Sequence, residues 1–214
     1  MKEFEKIEAI LFDFDMTLVD SSYAIHRCIN LLAEYAGLNL VPREKVLKNI
    51  GLKIEDCYIN FWGEFKQEWL DYYRELFMVE EKAGLILYPG VVETLNELKE
   101  KGLKVGVASN RHNVTTVLEA TKLSEFLDVS VGLNDVKNAK PNPDILYKGL
   151  ETLGVPHENS IYVGDTDIDM QTTVAAGIRG VGTTTGNFSA KELKEHGAWR
   201  VIDDIREIMT LILE

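Results

Sequence analysis

Carboxylates crowd two short stretches of this chain. Asp13-Phe14-Asp15-Met16-Thr17 sets two acids two residues apart and follows them with a hydroxyl. Gly164-Asp165-Thr166-Asp167-Ile168-Asp169 places three more acids at alternate positions. Between them lie Ser109-Asn110-Arg111-His112 and Lys140-Pro141-Asn142-Pro143-Asp144. Brought to one place, Asp13, Asp15, Asp165 and Asp169 would meet one lysine and one short hydroxyl. Two carboxylates about 4 Å apart repel by about 4 kcal/mol at an effective dielectric near 20, and a divalent cation removes that cost. No Cys or His joins the acids, so the oxygen-only donor set points to Mg²⁺ over Zn²⁺. Mg²⁺ with a lysine and a hydroxyl is equipment for handling a phosphoryl group.

Those residues need a scaffold that presents four loops at one edge. Ile7 to Phe14 is a short apolar run that ends in the first acids, as a buried central strand does. Leu103 to Ala108 is a second buried strand and ends at Ser109. Val129 to Gly132 is a third, Ile161 to Val163 a fourth that ends at Gly164-Asp165, and Ile178 to Gly182 a fifth. Helical spacing fills the intervals: Val91, Leu95 and Leu98; Val114, Val117 and Leu118; a helix opened by Asn142-Pro143; Met170 to Ala176; and Ile205, Ile208, Met209 and Ile212. Strands alternating with helices predict an α/β fold with a doubly wound, Rossmann-like, mostly parallel sheet. Ligands of such sheets sit at the carboxyl ends of the strands.

The stretch between the first strand and the second is different in texture. Ser21 or Ser22 caps a helix that Gly37 closes, Pro42 opens another, and apolar residues recur at helical spacing from Ile54 to Phe77. Residues 1–20 and 83–214 are therefore expected to form the α/β core and residues 21–82 an inserted all-α block. Its aromatic residues read mainly as bundle core, and Cys28 and Cys57 as buried small apolar groups. Lys53, in a bend after Gly51-Leu52, serves equally as a solvated lysine or as a reader of a substrate anion. Arg111 and His112 read as an exposed first helical turn before they read as substrate contacts. Asn142 and Asp167 read as helix-capping or first-turn residues.

With 23 Lys and Arg against 35 Asp and Glu the formal net charge is −12, which opposes a nucleic-acid partner. No apolar run approaches the roughly 20 residues of a membrane span. The N-terminus mixes charges at once, which gives no sign of an export signal. Two cysteines do not make a disulfide framework, so a cytoplasmic location is expected.

The four segments quoted above, in their order and with Leu18-Val19-Asp20-Ser21 completing the first, resemble the four motifs of the haloacid dehalogenase superfamily. The resemblance spans the chain, includes the helical cap after the first motif, and is nearest the phosphoglycolate phosphatase-like branch. It implies strand order 5-4-1-2-3 and a phosphatase acting on a small phosphorylated metabolite, with no nucleic-acid or membrane partner. By resemblance Asp13 is the nucleophile, Asp15 the general acid and base, and Lys140 the neutraliser of developing charge. Ser109, with Asn110 beside it, and Lys140 would hold the phosphate. Mg²⁺ would be held by Asp13, the backbone carbonyl of Asp15, Asp165 and, directly or through water, Asp169. Met16 departs from the pattern, since glycine is common there. Two alternatives stay open on the residues alone: a β-phosphoglucomutase-like phosphotransferase, and a receiver-like aspartyl-phosphate switch without turnover.

Overall fold

The computed structural model describes residues 7–212; the charged hexapeptide at positions 1–6, which carried the expectation about an export signal, lies outside them. The chain begins with β1 (Ala9–Phe12), buried at all four positions, and after the acidic turn β2 (Val19–Asp20). A stretch without strands follows: α1 (Ser22–Ala36), α2 (Arg43–Leu47), α3 (Ile54–Trp62), α4 (Gln67–Leu76) and a π-helical turn over Phe77–Glu81. After β3 (Ile86–Leu87), strands and helices alternate: α5 (Val91–Glu100), β4 (Lys104–Ala108), α6 (Val114–Ala120), β5 (Val129–Val131) and α7 (Asp144–Leu153). The last elements are β6 (Ser160–Gly164), α8 (Asp167–Ala176), β7 (Arg179–Thr183), α9 (Ala190–Glu195), β8 (Arg200–Ile202) and α10 (Ile208–Leu211).

One six-stranded sheet runs β5-β4-β1-β6-β7-β8 with every neighbouring pair parallel. The five strands expected from the sequence are β1, β4, β5, β6 and β7, and they lie in the expected order. The structure adds β8 at the outer edge, a three-residue Arg-Val-Ile segment too short to show a period. It also pairs β2 with β3 as an antiparallel ribbon at the two ends of the helical block, another addition to the expected elements. Side chains alternate across the sheet as period two requires. Ile10, Phe12, Val105, Val107, Ile161 and Val163 pack beneath α5 and α6, while Ala9, Leu11, Ala108 and Tyr162 pack against α7.

The helical block has its own apolar cluster, with Ile29, Leu32, Val46, Tyr58, Trp69 and Leu70 buried in it. The continuous helical spacing over Ile54–Phe77 is broken at Gly63, whose φ of +84° ends α3. A left-handed residue there is cheap only for glycine.

In the sheet, Phe12 is in register with Val107 on one side and Val163 on the other. Asp13, Ser109 and Asp165 therefore leave the sheet within two residues of a common level. Gly106 keeps β4 close: a Cβ there would lie 2.4 Å from Val129 Cγ1 and 2.8 Å from Leu11 Cδ2. Gly106→Ala should cost about 1–3 kcal/mol through overpacking, seen as a lower urea midpoint. A variant as stable as the parent would contradict this packing.

Candidate active site

Lys140, in the loop between β5 and α7, is the centre of the cluster. Its side chain is 1% exposed, and its ammonium donates to Asp13 Oδ1 at 2.9 Å, Asp169 Oδ1 at 2.7 Å and the Tyr162 hydroxyl at 2.9 Å. Three donors are thereby matched to three acceptors. Tyr162 in turn donates to the Ala108 carbonyl at 2.8 Å, so β4 and β6 both fix the lysine. Asp169 is placed by helix capping. Thr166 precedes α8, and its hydroxyl accepts from the Asp169 amide at 3.1 Å. Asp169 Oδ2 accepts from the Thr166 amide at 3.0 Å and hydroxyl at 2.6 Å, which completes a capping box. Thr-x-x-Asp is a local signal that the sequence carries in plain view. Asp167 is partly exposed at the first position of α8 and meets Gln171 at 3.3 Å, as a first-turn acid does.

Asp165 accepts from Thr17 at 3.1 Å. Gly186 passes so close that a Cβ there would lie 1.9 Å from Asp165 Oδ2, so only glycine fits. Carboxylate oxygens of Asp13, Asp165 and Asp169 lie within 4.8 Å of one another, all buried. Fully ionised, these three acids would exceed one lysine by two negative charges. Burial, with Asp169 and Asp15 adding to it against the pull of Lys140, raises Asp13 from its ordinary 3.8 to about 6. Burial likewise lifts Asp165 well above the carboxylate range, reinforced by Asp169 and Asp13. Burial alone would lower Lys140, but Asp13 and Asp169 outweigh it and hold the amine above its ordinary value. Oxygen donors, charge excess and close spacing all fit a divalent cation.

Asp15 is held separately. Ser21 donates to its Oδ1 at 2.5 Å, and Arg111 grips both oxygens, at 2.5 and 2.6 Å. Arg111 thus corrects the sequence expectation: its side chain is 12% exposed and lies before α6, not on an open first turn. A fork of two charge-assisted bonds outweighs hydration of a lone surface arginine. The signal available was its position, two residues past a strand-end serine in a chain of net charge −12. Met16, where glycine is common, still takes the left-handed conformation, φ 57°, with its side chain buried. That costs an L-residue about 1–2 kcal/mol. Thr185 supports the turn by donating to the Met16 carbonyl at 2.5 Å.

Above the acids lies a cavity of about 400 Å³ between the sheet edge and the helical block. Asp13, Asp15, Ser109, Asn110 and Arg111 line its floor. Asn110 has its amide committed: it donates to the Gly51 carbonyl of the helical block at 3.1 Å and to the Lys140 carbonyl at 3.3 Å, and accepts from the Lys140 amide at 2.9 Å. It ties three loops together. His112 also lines the cavity, with its Nδ1 2.9 Å from Asn134 Oδ1. Lys53 is exposed at the start of α3 and is not among the lining residues. Asn142 accepts from the Asp144 amide at 3.1 Å, as a cap does. Cys28 and Cys57 are buried and neither is in a disulfide.

The family model described as haloacid dehalogenase-like hydrolase matches residues 10–183. A pyrophosphatase PpaX of Bacillus cereus is 34% identical over 187 residues, covering 86% of this chain and 84% of its own. A phosphoglycolate phosphatase of Shigella dysenteriae is 30% identical, covering 87% and 84%. Among solved structures, a Bacteroides fragilis protein assigned to the haloacid dehalogenase-like hydrolases superposes with a TM-score of 0.88 at 28% identity, over 95% of this chain and 100% of that one. A hydrolase of Pseudomonas syringae gives 0.82 at 25% identity, over 95% and 97%.

The pKa of Asp13 makes a signed statement about stability. A carboxyl raised in the folded state stabilises below its unfolded value and loses that contribution as pH rises through about 6. One unit is worth about 1.4 kcal/mol, so buried ionised Asp13 costs about 3 kcal/mol at neutral pH without a cation. Asp13→Asn should therefore stabilise the metal-free protein at pH 7.5 by about 1–3 kcal/mol, with the gain about halved at pH 5. Denaturant titrations in a chelator at both pH values measure it. Equal stability of variant and parent at pH 7.5 would contradict the assigned burial.

Proposed function

This chain belongs to the haloacid dehalogenase-like hydrolase family, and from that premise we propose that it is a Mg²⁺-dependent phosphatase of small phosphorylated metabolites. The single observation that carries this is the buried triad of Asp13, Asp165 and Asp169 around one lysine at the floor of a cavity. Relatives named as pyrophosphatase and phosphoglycolate phosphatase support phosphoryl chemistry. Asp13 at the end of the first strand sets a receiver-like switch aside, since the acceptor of such a switch follows a later strand.

In this proposal an Asp13 oxygen attacks phosphorus, the bond from phosphorus to the leaving oxygen breaks, and an aspartyl-phosphate forms. Asp15 gives its proton to the leaving oxygen, then takes one from the water that hydrolyses the adduct. Arg111 and Ser21 hold Asp15 in a position from which one donor must be released before it reaches the leaving group. Lys140 fixes Asp13 and offsets charge developing on the phosphoryl oxygens. Ser109 binds one of those oxygens, and Asn110 acts by positioning the Lys140 loop. Asp13, Asp165 and the Asp15 carbonyl would hold Mg²⁺. Asp169, whose two oxygens already have Lys140, Tyr162 and Thr166 as partners, would do so through water. When bound, the ion offsets negative charge on the phosphoryl group and on the carboxylates. Residues 21–82 act as the cap that excludes bulk water, and residues 1–20 and 83–214 as the core. Two buried cysteines outside any disulfide fit a reducing cytoplasm.

Asp15→Asn separates the two half-reactions. With an activated aryl phosphate and Mg²⁺ it should release an early burst of phenolate and then stall about 10²–10⁴-fold below the parent. Mass spectrometry should find a phosphate on the peptide containing Asp13. Chelation should abolish parent turnover, and Mg²⁺ should restore it. An adduct elsewhere, or full turnover without metal, would overturn the proposal. Recovery of free phosphate, and not a transferred phosphate, distinguishes hydrolase from mutase.

A further inference from the structure

The cavity is chemically lopsided. Its floor carries the acids, Ser109 and Arg111, while the opposite wall is built by the helical block and is mainly apolar, with Asn49, Cys57, Tyr73 and Arg74 as its polar members. Ile25 and Ile29 come from α1, Val46 from α2, Leu70 from α4 and Phe77 from the π-helical turn. Ile54 and Phe61 on α3 add to the same wall. Several of the expected bundle-core residues therefore face a void in addition to their helical neighbours.

Several polar groups of the lining already have protein partners, Arg74 among them through Asp71 at 3.3 Å. Asn49 donates to the Lys45 carbonyl at 2.8 Å and accepts from Asn60 at 2.7 Å. His112 and Asn134 are paired twice, through ring nitrogen to amide oxygen at 2.9 Å and amide nitrogen to the His112 carbonyl at 2.8 Å. Cys57 donates to the Asn49 carbonyl at 3.3 Å, and burial pushes its thiol up to about 12, so it stays neutral. A polyhydroxylated leaving group would find Asn49, Cys57, His112 and Asn134 already engaged and would lose water against hydrocarbon. Size points the same way. At about 30 Å³ per liquid water the cavity is worth about thirteen waters, far more than a two-carbon acid or a second phosphate occupies.

We propose that the leaving group is an apolar or aromatic alcohol that fills this wall, so the substrate class is a phosphate monoester of a hydrophobic alcohol. This rests on the phosphatase reading above, and it parts from the small polar esters and anhydrides named for the relatives. The phosphoryl group would sit on the acidic floor, with the alcohol carbon chain against Ile29, Val46, Leu52 and Leu70. Selectivity then comes from apolar area removed from water and scales with chain length.

Two series separate this inference from the reading beneath it. Non-hydrolysable n-alkylphosphonates, methyl to octyl, are titrated calorimetrically into the full-length protein with Mg²⁺. The matching n-alkyl phosphates, with 2-phosphoglycolate and pyrophosphate, are assayed for phosphate release. Affinity and kcat/KM should each rise about fourfold per methylene, the rate equivalent of about 0.8 kcal/mol, until the cavity is full. Leu52→Ser, at a partly exposed lining position, should flatten the phosphonate slope, and a slope unchanged in that variant would place the alkyl chain elsewhere and overturn the assignment. Flat affinity along the phosphonates, or phosphoglycolate or pyrophosphate outrunning every alkyl ester, would overturn the inference and leave the phosphatase standing. A rising phosphonate slope with no ester hydrolysed would uphold the apolar site and sink the phosphatase reading instead.

Discussion

A lysine without water decides the architecture of this site. The Lys140 ammonium is enclosed with Asp13, Asp169 and the Tyr162 hydroxyl as its partners. Removing such an ion from water costs several kcal/mol, and the cost is recovered only because each donor finds an acceptor at 2.7 to 2.9 Å. That demand reaches far along the chain. β1 must deliver Asp13, β6 must deliver Tyr162, the capping box of α8 must orient Asp169, and Asn110 must hold the Lys140 loop. The parallel sheet answers it by bringing these loops out at one edge.

One positive charge does not balance three acids. Burial, reinforced by the neighbouring acids, raises Asp13 and Asp165, and the cluster's charge suits a divalent cation. Asp15 has its own cation, because Arg111 takes both its oxygens. The two acids that lie closest in sequence are thus kept in different electrostatic surroundings, one with lysine and one with arginine, which suits different chemical duties. The helical block contributes no charge to either arrangement. It meets the core through Gly51 and Asn110 and walls one side of the cavity, whose mainly apolar lining there shapes what enters.

The sequence made the sheet legible because its central strands are buried on both faces and so read as apolar runs, each ending in a polar loop. It made the acids legible by their spacing. What it hid were features set by distant partners. β8 is three residues at an edge, and β2 and β3 are two residues each, too short for any period. Arg111 looks like a surface cation until Asp15 is seen beside it, and Tyr162 looks like an ordinary strand residue until Lys140 is placed above it. Gly63 marks the break between α3 and α4, yet the apolar spacing runs through it because both helices face one cluster. The capping box was local and readable, Thr166 to Asp169, whereas the close approach of Gly186 to Asp165 joins loops that are far apart in the chain.

The central claim is that the buried acids carry a proton for want of a cation, and that Mg²⁺ displaces it. Calorimetric titration of Mg²⁺ at pH 6 in buffers of differing ionisation enthalpy measures this directly. Asp13 is half protonated near that pH, so binding should release at least about half a proton per site, and the release should be smaller in Asp13→Asn. Mg²⁺ binding with no proton released at pH 6, or no binding at all, would contradict the account.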